Sequence, residues 1–332
     1  MHNVKLSIGH AAATLIVAGV AQLGASAALA QDKYPDRPIR LIVPFSPGGQ
    51  TDNVSRRIGD AISPILGEQI VVENRSGASG TIGSAEAAHA KPDGYTILMG
   101  TTSTHAINPT MMSRIKYDAV NDFTPVMVIA TGPMTINVHP SVPARTLKQL
   151  VADIKSHPGE YSYGTAGVGS VNHLAGELFK AKAGNLQILH VPYKGAGPAV
   201  AELVGGQIPM TSTSLSSVLP HHRSGRVRTL AVMKEGRSVS APDIPTAIEG
   251  GVPGAVAYTF NIIFAPAGTP RGAIDTLKNA LQTVMADHAF LDTLVKVGVD
   301  PVTDSDPDKA AAMLRAEIAK WRPLIVSLGL KN

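Results

Sequence analysis

The stretch from Leu41 to Asp52, Leu-Ile-Val-Pro-Phe-Ser-Pro-Gly-Gly-Gln-Thr-Asp, limits what this chain can build. Its apolar run ends at Val43, and two prolines and two glycines then hold the backbone in a tight turn poor in side chains. Thr51 or Asp52 is expected to cap a following helix, because a short side-chain oxygen accepts from free first-turn N–H groups. Val54, Ile58, Ile62 and Ile65 recur at helical spacing and predict one apolar face. The unit is a strand, a bare loop and a helix N-terminus. Such a terminus carries unpaired donors and roughly half a positive charge, which suits an anion. An ordinary strand-to-helix turn has the same sequence features. The balance shifts with a second, looser copy far downstream, Tyr161-Ser-Tyr-Gly-Thr-Ala-Gly-Val-Gly-Ser-Val-Asn-His173.

With 332 residues and 44% hydrophobic content, the chain can bury two cores. A net charge of +4, with Lys and Arg dispersed, and only 4% aromatics argue against nucleic acid as a partner. Cysteine is absent, which excludes disulfides, thiolate catalysis and cysteine metal sites. Lys5, the apolar run Ala11–Val20 and Ala28-Leu29-Ala30 read as a secretory leader over residues 1–30, cleaved before Gln31. The mature chain is therefore expected to be soluble and exported.

Along the chain, strands are expected at Ile39–Val43, Ile70–Val72 and Tyr95–Met99. A second glycine-rich loop, Asn74–Gly83, opens an Ala-rich helix, and Gly100–His105 forms a small polar strand end. Alternating strands and helices imply a mostly parallel sheet with helices on both faces, whose ligands sit beyond the carboxyl ends of the strands. Pro125–Ile129 and Met134–Val138 read as two separate strands. Beyond them the layout repeats through residue 254, and helices are expected from Pro270 and from Asp306-Pro307, with Pro323 kinking or shortening the last.

Nucleotide and nucleophile motifs fail on inspection. Gly167-x-Gly169 is followed by Asn172 rather than glycine, the spacing Gly77-x-x-Gly80-x-x-Gly83 fits no phosphate-binding signature, and no Gly-x-Ser-x-Gly elbow occurs. Adjacent His221 and His222 point different ways and read as a solvated surface pair, so no metal ligands and no cofactor are assigned. His173 falls in the first turn of a helix, where surface and pocket positions are both open. Tyr193, after a strand end, is expected to line the cleft, and Lys194 to be solvated.

The run Ile42–Asp52 resembles the opening motif of the periplasmic substrate-binding proteins of tripartite tricarboxylate transporters, the Bug receptors. Further resemblances, in order, are Glu73–Gly83, Pro92–Thr96, Tyr163–His173, Val191–Gly195, Gly205–Gln207 and Ala265–Pro270, together spanning the mature chain. The resemblance implies a two-lobed, type II-like α/β periplasmic-binding-protein fold, each lobe a mostly parallel sheet flanked by helices. It also implies a monomeric receptor without catalysis that closes on a small organic carboxylate and delivers it to the transporter's membrane components. Lobe 1 would comprise residues 34–132 plus 255–332, and lobe 2 residues 133–254, with crossings near Thr131-Gly132 and Ala255-Val256. By motif position, Phe45, Ser46, Pro47, Gly48 and Thr51 would line one side of the cleft, and Thr165, Ala166, Gly167, Ser170 and His173 the other. Ser79 and Thr102 are added from their loop positions.

Two departures bear on the ligand. Pro209-Met210-Thr211 follows Gln207 where many relatives carry an acid, which weakens the case for an amino acid, and Tyr258-Thr-Phe-Asn261 stands where relatives often have Trp. Two facing helix N-termini would suit a dicarboxylate. Phe45, Pro47 and Val168 would wall its spacer, so terephthalate-like compounds come first and a monocarboxylate is the competitor. Other readings are an exported hydrolase using Ser170 and His173, and a co-receptor handing its ligand-loaded form to a sensor kinase.

Overall fold

The computed structural model describes residues 34–330, and the leader expected over residues 1–30 lies outside them. The chain begins with β1 (Ile39–Val43), α1 (Gln50–Leu66), β2 (Ile70–Asn74), α2 (Thr81–Ala88) and β3 (Thr96–Thr101). A π turn (Ser103–Ile107) and α3 (Asn108–Met111) lead to β4 (Phe123–Val138). Then follow α4 (Leu147–Ser156), β5 (Tyr161–Thr165), α5 (Val171–Lys182), β6 (Ile188–Pro192), α6 (Ala196–Val204), β7 (Met210–Ser214), α7 (Leu215–Arg223) and β8 (Arg228–Val232). The chain closes with β9 (Tyr258–Pro266), α8 (Arg271–Met285), α9 (His288–Lys296), β10 (Asp300–Pro301) and α10 (Pro307–Ser327).

The strands run in the order β2-β1-β3-β9-β4-β7-β5-β6, with β8 and β10 also paired to β4. β1 lies parallel to both β2 and β3, and β5 parallel to both β6 and β7. Each half therefore places its glycine-loop strand between the two strands that follow it through helical crossovers, the only short route between parallel neighbours. This is a two-lobed α/β fold, and in each lobe the glycine loop sits at the carboxyl end of the central parallel strand.

The two strands expected around Ala130–Pro133 are one 16-residue strand. Phe123 to Pro133 pairs with β9, and Met134 to Val138 pairs with β7 and β8. Pro133 has no N–H to donate and occupies the point where the partner changes, so the ladder continues past it. Met134 N then donates to Ala257 O at 2.9 Å, and Ala257 N to Met233 O at 2.8 Å.

The face of α1 buries Val54, Ile58 and Ile62 against Ile39, Leu41 and Ile97, each such side chain contributing about 1.5–3 kcal/mol. Ile65, expected on that face, is 47% exposed. The four-residue rhythm continues to Leu66 instead, leaving residue 65 turned away. α10 runs through Pro323 rather than ending there, anchored by buried Trp321 and Ile325 on either side.

Candidate functional site: two glycine loops and a helical groove

The first loop joins β1 to α1. Gly48 has φ +82°, the left-handed region that glycine enters without strain. Gly49 occupies the N-cap without a side-chain bond, so neither Thr51 nor Asp52 caps α1 as expected. Asp52 instead reaches back, and its carboxylate accepts from Gly48 N (2.9 Å), Asn74 Nδ2 (2.9 Å) and Arg56 Nε (3.0 Å). Burial alone would raise the Asp52 pKa, but the bonds from Arg56, Gly48 and Asn74 outweigh it and hold the carboxyl below the usual range. Asn74 Nδ2 also donates to Phe45 O at 3.0 Å, which fixes the loop over the sheet edge.

Beside it, Ala78 and Ser79 carry φ of 45° and 56°, two successive non-glycine residues in the left-handed region. Each costs about 1–2 kcal/mol. Asn108 Nδ2 holds the turn by donating to Ser79 O at 2.9 Å. Gly80 is required here, because a Cβ would lie 2.6 Å from Thr104 Cγ2 and 3.1 Å from the Phe45 ring.

The second loop joins β5 to α5 and spends much of its polarity internally. Ser170 caps α5 by accepting from His173 N at 3.2 Å, and its hydroxyl donates to Gly167 O at 2.7 Å. Gly167 N donates to Thr165 Oγ1, Gly169 N to His173 Nδ1 (each 3.2 Å), and Ser170 N to Gly167 O. Thr165 Oγ1 also meets His190 Nε2 at 2.6 Å, and the His173 and His190 rings stack at 4.0 Å. Burial first, then the neighbouring His173, pushes His190 down to about 4, and burial likewise lowers His173, so both are neutral near pH 7. With Ser170 Oγ committed to Gly167 O and the His173 ring turned to Gly169 and His190, the two side chains form no nucleophile–base pair.

Between the loops lies a cavity of about 1040 Å³. From the first half, Phe45, Ser46, Pro47, Gly48, Thr51 and Ser79 line it, and Ala166 and Ser170 do so from the second. The remaining expected residues sit elsewhere. Thr102 is fully buried, its Oγ1 donating to Tyr258 O and accepting from Phe260 N, so it knits β3 to β9. Thr165 and His173 are buried behind the second loop, and Gly167, whose N–H donates to Thr165 Oγ1, is not among the residues that line the cavity. Val168 is 58% exposed, and Tyr193 packs with Leu203, Ile208 and Val227 under α6.

Sequence reasoning did not find Gln50, Ser103, Asn172 or Thr259, which line the same cavity, nor its extension between α6 and α7. Lys194, expected in solvent, is exposed but borders the cavity. His221 and His222 are not a solvated pair. His221 lines the cavity, while His222 Nδ1 accepts from Thr229 N at 3.2 Å. A signal for α7 existed, since Ser214, Ser217 and His221 recur at one-face helical spacing. No lining residue is Asp or Glu, so the wall offers no carboxylate to neutralise a buried cation. Among the described residues no three His, Asp or Glu side chains gather as metal ligands, and no helix is long and apolar enough to cross a membrane.

Two α/β lobes with paired glycine loops facing one cavity define a solute-binding receptor. Residues 54–330 match the family described as tripartite tricarboxylate transporter family receptor, and the chain belongs to it. It is 35% identical over 313 residues to Protein BugT of Bordetella pertussis, covering 94% of this chain and 95% of that one. Among solved structures, Rpa4515 of R. palustris with adipate is 34% identical at TM-score 0.82, covering 89% of this chain and 98% of that one. MatC of Rhodopseudomonas palustris with bound malate is 30% identical at TM-score 0.78, covering 88% and 100%. Proteins of this family are periplasmic receptors that bind solutes rather than enzymes.

Proposed function

We propose that the protein is exported through its leader to the periplasm, binds a small carboxylate between its lobes as a monomer, and delivers it to the membrane components of a tripartite tricarboxylate transporter. The observation that carries this reading is the chemistry of the cavity wall: hydroxyls and amides, helix-start N–H groups and one lysine, with no acidic side chain. Burying a carboxylate there is tolerable because charge-assisted hydrogen bonds replace its water. Phe45, Ser46, Pro47, Gly48, Thr51 and Ser79 would contact it from residues 34–132 plus 255–332, and Ala166 and Ser170 from residues 133–254. Thr165, Gly167 and His173 would hold the second loop in shape.

The ligand we infer is a dicarboxylate, with an aromatic diacid such as terephthalate among the first to try. The relatives whose structures are solved with adipate and with bound malate support a diacid, and the ring of Phe45 beside Pro47 offers a flat apolar wall. Calorimetry on benzoate against terephthalate, and butyrate against succinate, tests it. Removing the second carboxylate is expected to weaken binding by more than about tenfold, or 1.4 kcal/mol. A smaller loss in the better-binding series identifies a monocarboxylate receptor, and binding of no carboxylate refutes the reading.

A further inference from the structure

The cavity does not end at the two loops. It continues into a groove whose walls are successive faces of α6 and α7. α6 presents Gly197, Val200, Ala201 and Val204, spaced three and four apart, and they make an apolar side. Opposite them Ser214, at the N-cap of α7, and Ser217 and His221 within it recur along one helix face. The line from Ser214 to His221 is about 10 Å long at 1.5 Å per residue. Lys194 borders the same cavity just before α6 and is the one lysine in its lining, which holds no Asp, Glu or Arg.

From these features we infer that the groove between α6 and α7 is the subsite for the far end of the ligand, with His221 and Lys194 selecting a second carboxylate. This rests on the carboxylate-receptor reading above. Three observations converge on the groove rather than on the second glycine loop. That loop's Gly167, Gly169 and Ser170 N–H groups already have acceptors inside the protein, so fewer donors remain for a ligand. The groove has an apolar wall on α6 for a spacer and a polar wall on α7 for a charged end, the two contacts a diacid requires. His221 Nδ1 is buried without a hydrogen-bond partner, a cost that turning the ring toward a bound anion relieves. Burial first, and the Arg226 charge second, keep the imidazole neutral, so it offers a hydrogen bond while Lys194 supplies the charge. Diacids with long or aromatic spacers span such a groove, whereas two-carbon diacids leave its end unfilled.

The test is calorimetry with hexanoate against adipate and benzoate against terephthalate, on the wild-type protein, His221→Leu and Lys194→Gln. The readout is the ratio of monoacid to diacid Kd. Each substitution is expected to lower that ratio by about tenfold, the worth of one hydrogen bond to a charged group, and His221→Gln to recover part of the loss. A diacid preference unchanged in both variants overturns the assignment. So does a wild-type protein that binds monoacid as tightly as diacid, a result that leaves the receptor reading standing. Binding of no carboxylate overturns both. Should His221→Leu lose its circular dichroism signature of folding, Lys194→Gln decides, because that side chain is exposed.

Discussion

The side-chain amide of Gln50 lies against Gly132, so close that a Cβ at position 132 would stand 2.2 Å from Gln50 Nε2. From there Nε2 donates to Asn261 Oδ1, and Oε1 accepts from Ser216 Oγ, each at 3.2 Å. Gln50 begins α1 beside the first glycine loop, Gly132 sits where β4 changes partners, and Ser216 belongs to α7. One side chain thus joins the start of α1 beside the first glycine loop, the partner change in β4 and the start of α7. Gly132→Ala should evict the amide and break both bonds. Because the displaced group ends a flexible chain, the stability cost should be only about 1 kcal/mol, with diacid affinity falling. A double-mutant cycle with Gln50→Ala checks this. If Gly132→Ala acts through Gln50, the two effects are not additive, and simple additivity would refute the coupling.

Closure of the lobes follows from the small number of connections between them. With lobes divided as expected, the chain would cross near residues 131–134 and again near 255–257, where Met134, Met233 and Ala257 exchange backbone hydrogen bonds. A hinge of so few residues permits rigid-body closure around a ligand. Small-angle scattering should record a smaller radius of gyration with a saturating diacid. An unchanged radius, with binding confirmed by calorimetry, counts against closure.

Stability should fall on mild acidification because of the stacked His173 and His190. The unfolded chain takes up a proton on His190 near its ordinary pKa of 6.5, whereas the folded protein resists until about 4. Proton uptake by the unfolded state is therefore favoured across that window, and stability is lost as pH drops through it and is unaffected well above it. His173 acts in the same direction, and of the nearby charges Glu177 opposes the shift while Lys180 adds to it. Thermal midpoints measured from pH 7.5 to 4 should show a shallower decline for His190→Phe, which keeps an aromatic ring but cannot titrate. Parallel curves for the two proteins would exclude this pair as the cause.

Relief of the strained turn should stabilise the protein. Ala78 has no polar group to hold it at φ 45°, so Ala78→Gly removes left-handed strain while adding some chain entropy to the unfolded state. The net gain expected is about 0.5–1 kcal/mol, read from the midpoint of urea unfolding. A loss of stability would show that the Ala78 methyl group contributes more by packing than the backbone costs.

Breaking the Asp52 knot should do the reverse. Asp52→Ala leaves Gly48 N–H, Asn74 and Arg56 without their shared acceptor beneath the first loop. The expected cost is about 1–3 kcal/mol, the range for leaving buried donors without their acceptor, because half-exposed Arg56 regains water when its partner is lost; carboxylate affinity should fall because Phe45 and Gly48 lose their support. A protein that keeps both stability and affinity would show that the loop holds its shape without the carboxylate.

Local chemistry wrote much of this molecule into its sequence. Two strand–glycine-loop–helix units, the apolar face of α1, and the helix starts at Pro270 and Asp306-Pro307 were legible because each depends on residues adjacent in the chain. The same locality made the first-loop wall from Phe45 to Thr51 readable. Tertiary structure decided the rest. Whether Pro133 ends a strand depended on β9, β7 and β8 arriving from distant segments to pair on either side of it. Whether Asp52 caps a helix or anchors a loop depended on Asn74 and Arg56. Thr165 and His173 left the cavity wall because His190, on another strand, drew them behind the loop. His221 entered the cavity because α7 packs alongside α6, so a pair that looked like solvated surface became a wall. Spacing along a chain fixes which way a side chain points from its own element. What stands opposite it is fixed only when the elements pack.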